Sequence, residues 1–234
     1  MMTSTETNTF QVLQQPNPDA LNILQLNDDC LIKIFSYLNN YELIDLLGTC
    51  RKLDEIIHIN LRRCKDLSFN FRHFSSDDKR LLQIVSPYLT SIELSVGYSI
   101  SSESVLAALE LISNCKKLRK LRLHYVVMRE KYLKLIGNIS NHLEKIDLSF
   151  CQLTDELMTE FFKWKCNSLK EIILIGNYTF WGVSLIYLKN LKCLTIESHE
   201  NLKINVEQLK VNNPKAEIII YGKGRLKKIC DVNL

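Results

Sequence analysis

Five histidines and eight cysteines are the residues here best suited to proton transfer, nucleophilic attack or metal binding, so their spacing is weighed first. The cysteines stand at 30, 50, 64, 115, 151, 166, 193 and 230. No pair is spaced C-x-x-C, and no Cys/His set has the spacing of zinc ligands. Most fall at apolar positions of the surrounding pattern, where a thiol acts as a small hydrophobe. The expected setting is reducing, cytoplasmic and/or nuclear. His58, His73, His124, His142 and His199 are scattered along the chain. His124 and Asp147 fall on neighbouring strands of the pattern below, but no nucleophile completes a triad with them; a solvated charge pair is expected. No glycine-rich phosphate loop, G-x-S-x-G elbow or H-E-x-x-H motif occurs. The expectation is no catalytic residue, no metal and no cofactor.

The bulk numbers point the same way. The chain has 234 residues, 46% of them apolar and 24% charged, an ordinary globular composition for one or two domains. A net charge of +4 is too balanced to call for nucleic acid or an anionic membrane. No apolar run approaches the ~18 residues of a membrane span. Residues 1–20 contain no Lys or Arg and no continuous apolar core, so neither a secretory signal nor a transit peptide is expected there. A flexible polar tail is expected over 1–22.

Two unlike apolar patterns follow. In the first, over 23–63, Leu31, Ile34, Phe35 and Leu38 are spaced i, i+3, i+4, i+7 and predict a helix. Asp28 and Asp29 stand at its start, where carboxylates suit the positive end of the helix dipole. Asn39-Asn40 is a turn in which Asn40 is the expected cap. Leu43, Ile44 and Leu47 make a second stripe, and Leu53, Ile56, Ile57 and Leu61 a third. Three helices of ten to twelve residues cannot bury three such stripes in so small a unit. Apolar surface should be left over, as at a protein interface.

Residues 26–53 resemble an F-box, the motif through which substrate receptors dock onto the Skp-type linker of Skp–cullin–F-box ubiquitin ligases. The likeness runs through Leu26, Asp28, Asp29, Leu31, Ile32 and Ile34-Phe35-Ser36-Tyr37-Leu38, then Glu42-Leu43-Ile44 and Cys50-Arg51-Lys52. Two positions depart: Asn27 replaces the usual proline and can still cap a helix, and Leu53 replaces the usual tryptophan with less apolar area. The resemblance implies that Leu26, Leu31, Ile34, Phe35, Leu38, Leu43 and Ile44 bind the linker and, through it, a cullin–RING ligase.

The second pattern, over 64–222, is L-x-x-L-x-L or a close variant with starts at Cys64, Leu89, Leu118, Leu143, Leu169 and Leu191. The intervals of 25, 29, 25, 26 and 22 residues, with a helical stripe after most strands, match leucine-rich repeats. Strands are expected near 67–69, 92–94, 121–123, 146–148, 172–174 and 194–196, and a closing strand at 218–221. The segment 143–158 (LEKIDLSFCQLTDELM) is similar to the cysteine-containing repeats of F-box proteins. Stripe residues such as Leu157, Phe161, Phe162 and Trp164 are expected to be core. The basic run at 223–228 (KGRLKK) is expected to belong to a solvated C-terminal tail, 223–234.

The expected fold class is therefore α/β: a short helical F-box, then a solenoid with a curved parallel sheet. Residues between the inward leucines point to its concave face. Candidate substrate contacts there are Arg122, His124, Lys145 and Asp147, with Ile173 and Ile175 as an exposed apolar pair; alternatively, the loop 176–181 folds over the isoleucines. The expected function is a substrate adaptor of a ubiquitin ligase, a non-catalytic subunit with no nucleic-acid or membrane partner. The alternative is a repeat scaffold whose helical segment only caps the array. An enzyme with a site on the concave face is the third reading.

Overall fold

The computed structural model describes residues 22–70, 74–95, 102–139, 141–222 and 225–229, with backbone alone for 102 and 225–229. His73, Cys230 and the expected tail up to residue 21 lie outside them.

A turn of 3-10 helix (Ile23–Gln25) leads into helices α1 (Asp28–Phe35), α2 (Asn40–Asp45) and α3 (Arg51–Leu61). The starts of α1 and α2 are set by a side chain at the preceding residue. Asn27 Oδ1 accepts from the Cys30 amide at 2.8 Å, satisfying an orphan donor of α1 in place of the proline ring. At α2 the cap is Asn39, not Asn40. Its Oδ1 accepts from the Glu42 amide at 3.0 Å, and Glu42 Oε2 accepts the Asn39 amide in return at 2.7 Å. α1 and α2 are shorter than expected, eight and six residues, while α3 has the expected length at eleven.

Strands and helices then alternate: β1 (Asp66–Asn70), α4 (Ser76–Val85), β2 (Ser91–Ser95), α5 (Ser102–Ile112), β3 (Lys120–His124), α6 (Glu130–Asn138), β4 (Lys145–Asp147), α7 (Asp155–Lys165) and β5 (Glu171–Leu174). A 3-10 segment (Val183–Tyr187) precedes β6 (Cys193–Glu197), and α8 (Val206–Asn212) precedes β7 (Glu217–Gly222). The strands lie side by side in sequence order, and β1 to β7 are parallel. Parallel neighbours need a crossover segment, which the 22–29-residue intervals supply. Crossovers in one sheet share one hand, so the helices line one face of the sheet. The chain is thus an α/β protein with an open sheet.

The repeated apolar positions explain the register. Ile92, Leu121, Ile146, Ile172, Leu194 and Ile218 are aligned partner to partner across β2 to β7, and all are buried. Each is worth ~1.5–3 kcal/mol of transfer energy, and a slip by one residue would turn the whole row to the other face. Cys115 and Cys151 are fully buried in the same core, and burial pushes both thiols up to about 12.

The packing of α7 departs from expectation. Trp164 is 54% exposed, not core. The buried face of α7 is Met158, Phe161, Phe162 and Lys165, the i, i+3, i+4, i+7 set. Trp164 lies off that face against Gly137 of α6, close enough that even a methyl there would touch the indole at 3.1 Å. The residue that takes the core position is Lys165, whose Nζ donates to the Ile139 carbonyl at 2.8 Å while burial lowers its pKa. Arg225–Ile229 forms a further strand, β8, antiparallel to β7 with Gly222 opposite Arg225.

Candidate partner-binding surfaces

The helical module divides its apolar residues into a brace and a leftover cluster. Leu31, Phe35, Leu43 and Ile44 are buried, continuous with the core under the sheet. These four were expected to touch a partner directly; they instead pack the helices, because α1 and α3 close over each other and α2 leans on α4. Leu38 is half-buried. Of the expected anchors, Leu26 and Ile34 (41% exposed) stay open to solvent. Cys30 and Ile34, one turn apart, share the outer face of α1, Tyr37 lies in the turn just past its end, and all three are exposed. Tyr37 is 76% exposed, with the Lys33 ammonium 5.0 Å from its ring centroid. Tyr37 was not among the expected anchors, although its spacing from Ile34 places it near that residue.

Two further contacts hold this surface in place. Lys52 Nζ donates to the Leu24 and Leu26 carbonyls at 2.9 and 2.8 Å, tying the 3-10 turn to α3. Tyr41 Oη donates to Asp78 Oδ1 at 2.5 Å, joining α2 to the N-terminus of α4. Burial and the Asp78 carboxylate push the Tyr41 phenol up to about 12. The module therefore caps the array as well as exposing an apolar cluster, and the two roles do not conflict.

On the sheet face opposite the helices, the register places Glu93, Arg122, Asp147, Ile173 and Thr195 in one row. Arg122 is engaged on both sides, Nη1 to Glu93 Oε2 at 2.5 Å and Nε to Asp147 Oδ2 at 3.3 Å. Asp147 is buried, so its pair with His124 (3.1 Å, not aligned for a hydrogen bond) is not the solvated pair expected. Its other oxygen accepts from the Ser149 hydroxyl and amide at 2.6 and 3.1 Å, which makes Asp147 an internal strut. Lys145 Nζ pairs with Glu171 Oε2 at 2.6 Å. Both basic residues among the candidate contacts thus have their charge countered within the face. Ile173 and Ile175 are half-buried, not exposed.

The two edges of the sheet differ in chemistry. Beyond the strand ends, Tyr125, Phe150 and Gly176 follow one another across three repeats, all with positive φ of 60°, 59° and 71°. The Tyr125 and Phe150 rings stack at 4.8 Å and 11°. The Phe150 ring continues over Gly176, where an added Cβ would lie 2.2 Å from it, so both the backbone and the stack require glycine there. Asn177, buried behind this row, donates to the Leu148 and Ile175 carbonyls and accepts from the Cys151 and Leu153 amides at 2.9–3.3 Å. Asp155 accepts from the amides of Trp181, Gly182 and Ser184 at 2.7–3.1 Å and holds the 176–184 segment down. At the strand starts the row is Arg119, Glu144, Lys170 and Lys192, all polar.

Among the described residues no three His, Cys, Asp or Glu side chains come together as metal ligands, and no helix is long and apolar enough to cross a membrane. No protein-family model matches the chain, and no curated protein matches it either.

Proposed function

We propose that the chain is a substrate-recognition adaptor of a Skp–cullin–F-box ubiquitin ligase, an F-box followed by leucine-rich repeats. The observation that carries this reading is the division of the module's apolar residues. The segment with the F-box resemblance is three short helices that bury Leu31, Phe35, Leu43 and Ile44 but leave Leu26, Ile34 and Tyr37 outside. An exposed apolar cluster carried on a packed helical module is what a docking partner needs. The two departures from the motif are tolerated, since Asn27 caps α1 and Leu53 packs half-buried against the core. The array supports the reading through its shape. A helix is ~10 Å across and strands are ~4.8 Å apart, so pairing them one to one bends the sheet toward its uncovered face and makes a concave surface for a second partner. The chain would act by proximity, with ubiquitin chemistry on other subunits.

A repeat scaffold with a helical cap is the second reading, and the Tyr41–Asp78 hydrogen bond and shared core favour it. Calorimetry with a purified Skp-type linker separates the two. The adaptor reading expects binding that Ile34→Ala with Tyr37→Ala weakens more than ~30-fold, about 2 kcal/mol, with an unchanged melting temperature. A wild-type chain that does not bind the linker leaves the scaffold reading.

A further inference from the structure

The strand-start edge carries an electrostatic arrangement that folding alone does not favour. The register sets Lys120 directly beside Lys145, and the Lys192 amide donates to the Lys170 carbonyl at 2.7 Å, which sets those two lysines side by side as well. Like charges at facing positions of adjacent strands are destabilising. The sheet relieves only part of the cost. Glu171 pairs with Lys145 at 2.6 Å, and Glu144 is shared between Arg119 at 3.2 Å and Lys170 at 2.9 Å. Lys120 and Lys192 make no ion pair among the described residues, and both are exposed. These residues line one open cleft of about 150 Å³, five cations against two carboxylates. A local excess of three positive charges stands in a chain whose total is +4.

We propose that this cleft binds an acidic segment of a partner protein, with its carboxylates or phosphates seated between Lys120, Lys170 and Lys192. The site rests on the reading of the array as a partner-binding surface, and it moves the basic contact from the centre of the face, where Arg122 is countered on both sides, to the edge. The interleaved Glu144 and Glu171 select for a ligand whose anions are discrete and spaced. A continuous phosphate backbone or a flat anionic membrane would meet both carboxylates. Nucleic acid is further disfavoured because the exposed rings of Tyr125, Phe150, Tyr178 and Trp181 follow the strand ends, on the opposite edge.

Fluorescence anisotropy on the full chain tests the proposal with three labelled peptides: one with spaced glutamates, its phosphoserine counterpart and a glutamine control. Both acidic peptides should bind and the control should not, with the stronger of the two telling carboxylate from phosphate. Lys170→Glu with Lys192→Glu should weaken binding at least ~10-fold, whereas Lys131→Glu with Lys134→Glu on α6 changes net charge equally and should cost less than ~2-fold, being screened by distance. The milder Lys120→Gln with Lys192→Gln gives the same comparison if the reversal unfolds the chain. Equal losses from edge and α6 variants, binding of the glutamine control, or capture of single-stranded RNA or phosphatidylserine vesicles in place of the peptides would overturn it. No linker is present in this assay, so its failure leaves the docking result untouched.

Discussion

The two edges of the sheet are made from the same repeat and have opposite characters. At the strand ends, Asn177 is a buried amide that satisfies backbone groups of a neighbouring repeat, and Gly176 sits under the Phe150 ring. At the strand starts, Asn213 does the same for Leu188 and Leu191, but the row Arg119, Glu144, Lys170 and Lys192 is charged and reaches the surface. The strand-end row makes the fold; the charged strand-start row is borne by it. One repeat can therefore hold its architecture at one end of each strand and vary its surface at the other.

The sharpest way to break this contrast is Asn177→Ala. It takes a buried partner from the Cys151 and Leu153 amides and the Leu148 carbonyl, each worth ~1–3 kcal/mol, so a loss of ~3–5 kcal/mol is expected in urea unfolding. A loss under ~1 kcal/mol would mean that the strand-end edge is no more structural than the other. Gly176→Ala comes next. Its Cβ would strike the Phe150 ring and the backbone must keep φ near +71°, so ~2–3 kcal/mol is expected. Adding Phe150→Ala removes the collision but not the dihedral strain. The double variant should then be less perturbed by the Gly176 change than the single one, which a double-mutant cycle reads directly.

At the strand starts Glu144→Gln should have the smallest effect, and its sign follows from charge. Hydrogen bonding from Lys170 holds the Glu144 carboxyl below the usual range, with Arg119 and Lys192 adding to the same direction. A lowered folded-state pKa contributes stability above the unfolded value of ~4.3, and that contribution fades as pH falls through the folded value. Wild type and Glu144→Gln should differ slightly at pH 7 and converge in acid, and salt should narrow the gap at pH 7. A gap that persists at low pH would mean that Glu144 acts through packing.

The strands were legible because one apolar spacing does two jobs. In Leu121, Ile146 and Ile172 it fixes both the period along the chain and the partner across the sheet. Helix caps were half-legible: the Asn39-Asn40 turn was visible, but which asparagine turns its amide oxygen onto Glu42 depends on one ψ angle. Trp164 was misjudged because apolar type outweighed phase; one helical step separates it from Lys165, and Gly137 gives the ring a flat seat outside the core. Asn177 was hidden in a stretch that reads as loop, since the groups it satisfies lie up to 29 residues away. The candidate site was least legible of all. Exposure of Ile34 against burial of Phe35, or the countered charge on Arg122, depends on what neighbouring strands and helices bring, and no local pattern carries that.

The buried thiols of Cys115 and Cys151 give the molecule built-in clocks. Only a thiolate reacts with a labelling reagent, and both groups are shielded from solvent and held protonated by burial. Each must wait for its own stretch of chain to open. Cys115 lies between α5 and β3, and Cys151 between β4 and α7, so their modification rates time two separate openings. Equal rates would describe an array that opens as one cooperative unit; unequal rates would show it fraying from one end.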